Sequence, residues 1–142
     1  LFERWAAVCL LVGSAREREF SQSIAADLTE LPFVNLVEQT SLHELVAVFS
    51  SVSVAVGSDS GPMHIAAAVG VPVVSLWGST SPRRSAPYGS QDYVLASAIG
   101  CAPCYKRICP GLGTLCMEQL CPDLVANKVA QIWNGGRSVV LP

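Results

Sequence analysis

Short, largely apolar runs that alternate with stretches of helical period are what most constrain this chain. Residues 7–12 (AVCLLV), 34–37 (VNLV), 52–56 (VSVAV) and 73–77 (VVSLW) each have the length of a strand. A run with so little polar alternation suits a strand covered on both faces, as in a parallel sheet. Between the runs the period changes. Phe20, Ile24, Ala25 and Leu28 share one face of a helix expected over 16–29. Leu42, Leu45, Val46 and Phe49 recur at helical spacing. Ser41 suits the N-cap of that second helix, and Glu44 completes a capping box. A third helix is expected over 62–69, with Pro62 in its first turn, Gly70 as its stop and Pro72 opening the next strand. A short strand at 93–96 and a helix over 123–133 close the pattern. The alternation predicts an α/β fold: a parallel sheet with helices on both faces.

At 142 residues the chain is the size of one domain. Hydrophobic residues make up 51% and charged residues 14%, enough apolar material for a core and too little charge for a disordered chain. The net charge of −2 gives no electrostatic footprint for nucleic acid. No apolar run approaches the ~20 residues that span a bilayer, and no signal-peptide pattern opens the chain. The start, LFERW, lacks an initiator Met and reads as a cut from a longer protein. Of six cysteines, Cys9 lies in an apolar run and is expected to be buried. The other five crowd into 100–121, which is unlike the dispersed pattern of a secreted disulfide scaffold and points to a cytoplasmic setting.

In an open parallel sheet, ligands bind beyond the carboxyl ends of the strands. That rule selects 13–17, 38–41, 57–64 and 78–82, expected along one edge. The richest is Ser58-Asp59-Ser60-Gly61-Pro62-Met63-His64. A glycine there admits close approach by a phosphate, and the helix that follows offers unpaired N–H groups and partial positive charge. His64 can add a donor. The competing reading is that Asp59 or Ser60 caps the helix while His64 packs against its neighbours.

Residues 58–89, SDSGPMHIAAAVGVPVVSLWGSTSPRRSAPYG, closely resemble the signature of glycosyltransferase family 9, which includes the lipopolysaccharide heptosyltransferases. Gly13-Ser14-Ala15-Arg16-Glu17 and the cysteine segment from Cys101 to Met117 are similar to the family as well, so the resemblance runs over nearly the whole chain. It implies the Rossmann-like C-terminal half of a GT-B enzyme: one nucleotide-sugar-binding domain over 1–142, without the N-terminal acceptor domain. By position, Ser60, Gly61 and His64 would meet the donor diphosphate and Asp59 would lie near the transferred sugar. Glu17 would bond the ribose and the backbone at Thr40 would flank the base. For Glu17 the alternative is a helix-start glutamate favoured by the dipole. The implied reaction is inverting, metal-independent transfer from a donor such as ADP-heptose to a lipopolysaccharide-type acceptor, at the inner face of the membrane. No catalytic residue is named, because the family's general base belongs to the other domain. The family often has Pro and Asp where this chain has Ser79 and Ser81, which bears on the identity of the donor.

Three states stay open for the cysteine loop: structural zinc on Cys101, Cys104, Cys109 and Cys116, disulfides, or free thiols. The spacing lacks the second tight ligand pair common in zinc sites. Lys106 and Arg107 in the same loop can face an anionic acceptor. Arg83 and Arg84 face either a phosphate or solvent. Two rival functions remain, a non-catalytic nucleotide-binding module and a zinc-stabilised interaction domain.

Overall fold

The computed structural model describes residues 6–28, 32–111 and 113–135. The chain divides into two compact units, Leu1–Ala47 and Val48–Pro142.

In the first unit, β1 (Cys9–Leu11) pairs in parallel with β2 (Phe33–Asn35). The crossover is a 3₁₀ turn, Ala15–Glu17, leading into α1 (Arg18–Asp27); Thr29, its expected end, lies outside the described residues. The face of α1 differs from the one its apolar residues suggest. Phe20 is 68% exposed, while Ser21 is buried. Burial of this serine is tolerated because its hydroxyl is fully engaged: it donates to the Arg18 carbonyl at 2.8 Å and accepts from Asn35 Nδ2 at 3.4 Å. Cys9, expected to be buried, is exposed.

Helix α2 (Leu42–Ser50) runs across the boundary between the units. Its start is the expected capping box: Glu44 Oε2 accepts from the Ser41 N–H and hydroxyl, both at 2.7 Å, and the Glu44 N–H reaches Ser41 Oγ at 3.4 Å. The SARE sequence at 14–17 forms a second box, with Glu17 Oε2 accepting from Ser14 N–H at 2.7 Å and from its hydroxyl at 2.6 Å. The Ser14 bonds hold the Glu17 carboxyl below its ordinary range, and those of Ser41 do the same for Glu44. A carboxylate with a depressed folded-state pKa stabilises the fold above the unfolded value of about 4.3 and loses that contribution as pH falls through the folded value. Thermal melts of the chain are therefore expected to drop on acidification below about pH 4.3. Glu17→Ala and Glu44→Ala should each flatten that limb; an unchanged acid limb in the double variant contradicts the assignment.

In the second unit the parallel sheet runs β3 (Ala55–Ser58), β4 (Val73–Trp77), β5 (Val94–Ala96). β4 has the expected bounds. β3 starts later than expected and continues through Gly57 and Ser58, because pairing begins at Ala55 opposite Val73 and ends at Ser58 opposite Leu76. Helix α3 (Gly61–Ala68) follows β3, and short helix α4 (Pro82–Ser85) follows β4. After the cysteine loop come α5 (Leu115–Glu118) and α6 (Pro122–Gly135). One face of the sheet presents Val74, Leu76 and Leu95 to Val129, Ile132 and Val125 of α6. The other carries Gly57, Ser75 and Trp77, with Met63 of α3 over Gly57. Helices therefore cover both faces of this sheet. Trp77 is 1% exposed, and its indole N–H donates to the hydroxyl of fully buried Ser75 at 2.8 Å. Among the described residues no helix is long and apolar enough to cross a membrane.

Candidate functional site

The four strand exits come together in two pairs, one in each unit. In the first unit the Glu38 N–H donates to the Gly13 carbonyl at 3.0 Å, which fastens the exit of β2 to that of β1. Glu38 adopts φ +63, the left-handed region that non-glycine residues seldom occupy. Its carboxylate takes both arms of the Arg18 guanidinium, with Nη2 to Oε1 at 2.6 Å and Nε on Oε2. This fork holds the Glu38 carboxyl below and the Arg18 guanidinium above their ordinary ranges. Glu17 therefore stands as a capping residue at the lip formed by these two exits. Thr40, half-buried, follows the bend at 37–39 and leads into the Ser41 cap. Sequence reasoning missed the Arg18–Glu38 pair, since nothing local links positions so far apart.

In the second unit β3 and β4 are neighbours, so the exits at 58–64 and 78–82 adjoin. Ser60 is the N-cap of α3 in extended conformation, yet its side chain makes no capping hydrogen bond. This start therefore lacks the Ser60 side-chain cap of the competing reading, and the Met63 N–H donates to the Ser60 carbonyl instead, at 3.2 Å. Asp59 and His64 are both exposed, so His64 is not a packing residue either. A Cβ built on Gly61 would meet nothing within 4 Å, so open space lies over the first residue of the helix. Gly57 differs: a Cβ there would stand 2.7 Å from Met63 Sδ, and Met63 is buried. The glycine is what lets α3 settle against β3, and that fixes where the start of the helix points.

The cysteine loop closes over the exit of β4. The Tyr105 N–H donates to the Ser79 carbonyl at 2.7 Å, and the Arg84 guanidinium lies 5.8 Å from the Tyr105 ring centroid. Arg84, read as facing phosphate or solvent, thus packs on the loop. A cavity of about 230 Å³ opens between loop and strand exit, lined by Gly78, Ser79, Ile99, Cys101, Ala102, Cys104, Lys106, Arg107, Cys109, Gly113, Thr114, Cys116 and Met117. Cys101, Cys104, Cys116 and Cys121 are free thiols. Among the described residues no three His, Cys, Asp or Glu side chains converge to hold a metal ion. Cys101, Cys104, Cys109 and Cys116 all line this cavity.

Comparison with known proteins decides the family. The family model for glycosyltransferase family 9 (heptosyltransferase) matches residues 1–114. The chain belongs to glycosyltransferase family 9. It is 33% identical to lipopolysaccharide heptosyltransferase 1 of Pseudomonas aeruginosa over 141 aligned residues, covering 89% of this chain and 39% of that protein. It is 29% identical to lipopolysaccharide heptosyltransferase 2 of Escherichia coli, covering 88% of this chain and 36% of that one. Among solved structures, the E. coli ADP-heptose heptosyltransferase II superposes with a TM-score of 0.71 at 25% identity, over 91% of this chain and 37% of the other. A family 9 glycosyltransferase from Veillonella parvula superposes with a TM-score of 0.73 at 19% identity, over 95% of this chain and 39% of that one. This family 9 chain thus spans about two fifths of these relatives, with the fold of one Rossmann-like half of a GT-B enzyme.

Proposed function

We propose that this family 9 chain supplies the donor-binding half of a heptosyltransferase, holding the diphosphate of a nucleotide sugar, ADP-heptose by analogy, while the sugar passes to a lipopolysaccharide-type acceptor. One observation carries the reading: α3 begins without a side-chain cap, with open space over Gly61 and exposed Asp59 and His64 beside it. Negative charge accumulates on the departing diphosphate. The Gly61 N–H at the start of α3, the Ser60 hydroxyl and the His64 imidazole are the donors available to stabilise it, since Pro62 has no N–H and the Met63 N–H already donates to the Ser60 carbonyl at 3.2 Å. Asp59 then lies nearest the transferred sugar. In the first unit, Glu17 serves the ribose and the backbone at Thr40 flanks the base. The base that takes the acceptor proton comes from outside these 142 residues, as the family resemblance implies, and transfer needs no metal. The reaction then runs at the inner face of the membrane.

Calorimetric titration of the chain with ADP, GDP and UDP tests this reading. ADP is expected to bind more tightly than the other two, and His64→Ala to weaken it about tenfold, the size of one lost charge-assisted hydrogen bond. Equal binding of all three, or indifference to His64→Ala, contradicts it.

A further inference from the structure

The second unit carries a surface that the donor site does not use. Four of the chain's nine Lys and Arg residues, but only two of its eleven Asp and Glu residues, fall between positions 83 and 118. Those two are Asp92 and Glu118, the latter held on the Thr114 hydroxyl at 2.6 Å, and they offset half of the positive charge. The segment stays positive while the rest of the chain is negative. Its cations form two adjacent pairs, Arg83–Arg84 on α4 and Lys106–Arg107 in the cysteine loop, and all four are exposed. Arg84 lies over the Tyr105 ring, 5.8 Å from its centroid, and so brings the two pairs together. Large apolar side chains stand among these charges: Ile108, next to Arg107, is 85% exposed and Tyr88 is 92% exposed. The turn that carries Tyr88 is firmly rooted. Pro87 and Ser90 are buried, the Ser90 N–H donates to the Pro87 carbonyl at 3.1 Å, and Gly89 takes φ +76. The loop that carries Ile108 is tied to the exit of β4 by the Tyr105 N–H on the Ser79 carbonyl.

We propose that this surface, with Tyr88 and Ile108 as its apolar tips and Arg83, Arg84, Lys106 and Arg107 around them, docks the chain on the headgroup layer of an anionic phospholipid bilayer. Side chains this exposed project into the solvent, and a fluid surface receives such tips without a complementary pocket. The Tyr88 ring settles at headgroup level, where aromatic side chains with one polar end concentrate. Ile108 enters the boundary with the acyl chains, and the Lys and Arg stems lie along apolar surface while their charged heads reach lipid phosphate. Anionic lipid attracts the positive segment of a chain whose remainder it repels, so the charge asymmetry also orients the docking. The use of this contact, to hold the donor-binding half at the membrane, rests on the proposed function; the docking itself does not.

The test is co-sedimentation of the chain, without nucleotide, with two kinds of vesicle: equal parts of phosphatidylglycerol and phosphatidylcholine, and phosphatidylcholine alone. The chain should sediment with the first and stay in solution with the second, and added salt should release it. Lys106→Gln/Arg107→Gln should weaken the binding about tenfold or more. Tyr88→Ser/Ile108→Ser should weaken it by a similar factor, while Lys128→Gln on α6 leaves it unchanged. The four side chains changed in the double variants are exposed, so the thermal melts of both should match that of the native chain. No sedimentation with the anionic vesicles, equal sedimentation with both kinds, an unaltered double variant, or as large a loss in Lys128→Gln overturns the proposal. So does a lipid-free dimer in ultracentrifugation that Tyr88→Ser/Ile108→Ser dissociates, since a second copy would then cover the patch. Because no nucleotide enters these measurements, failure of the docking leaves the donor reading standing, and failure of ADP to bind leaves the docking standing.

Discussion

Gly61→Val is expected to leave the 48–142 unit folded and to reduce ADP affinity at least tenfold. The two halves of that expectation have separate causes. A Cβ on Gly61 meets no atom within 4 Å, and its φ is not among the chain's positive values, so the substitution introduces neither a clash nor backbone strain. Valine in a helix is also somewhat more favourable than glycine, by a few tenths of a kcal/mol. The melt should therefore stay level or rise slightly. The space that valine fills, however, is where a diphosphate would approach the start of α3. Losing one charge-assisted hydrogen bond costs about 1.5–3 kcal/mol, and about 1.4 kcal/mol is tenfold in affinity. Calorimetry and a thermal melt on the same sample check both halves. Unchanged ADP affinity in a folded variant would remove the diphosphate from this helix.

Trp77→Ala is expected to be the most destabilising single change in the second unit. The side chain is 1% exposed and bonds fully buried Ser75. Truncating a buried Trp to Ala typically costs about 3–5 kcal/mol, against a total stability of about 5–15 kcal/mol for a typical domain. The variant should unfold at much lower urea with an unchanged denaturant slope. Trp77→Phe keeps most of the apolar area but leaves the Ser75 hydroxyl without its donor. That smaller loss should fall at about 1–3 kcal/mol. A loss below about 1 kcal/mol for Trp77→Ala would contradict its place in the core.

Legibility in the sequence followed the range of the physics. The bounds of β4 could be read because a continuous apolar run between Pro72 and Gly78 has both ends marked locally. Ser41 and Glu44 could be read because a capping box spans four residues. The same pattern at Ser14 and Glu17 is another box, which the sequence reading of Glu17 as a ribose ligand or dipole-favoured glutamate does not include. β3 lies later than its apolar run because Gly57, which reads locally as a turn, stays in the strand and admits Met63. Phe20 shares an apolar helical face with Ile24, Ala25 and Leu28 in the sequence, yet it is exposed, and Ser21, a serine with two hydrogen-bond partners, takes the buried place. At the candidate site the residues of 58–64 were legible through strand order and family signature, while the absent side-chain cap could be seen only in the structure. The Arg18–Glu38 fork and the cavity against Gly78 depend on long-range packing, which no local pattern encodes.

The central claim is that a nucleoside diphosphate sits at the start of α3, and mapping backbone amide shifts of the ¹⁵N-labelled chain as ADP is added tests it most directly. The account expects the largest shifts at 58–64, the adjoining exit at 78–80 following with smaller ones. Saturating ADP that leaves 58–64 unmoved, or moves only residues far from both exits, would contradict it.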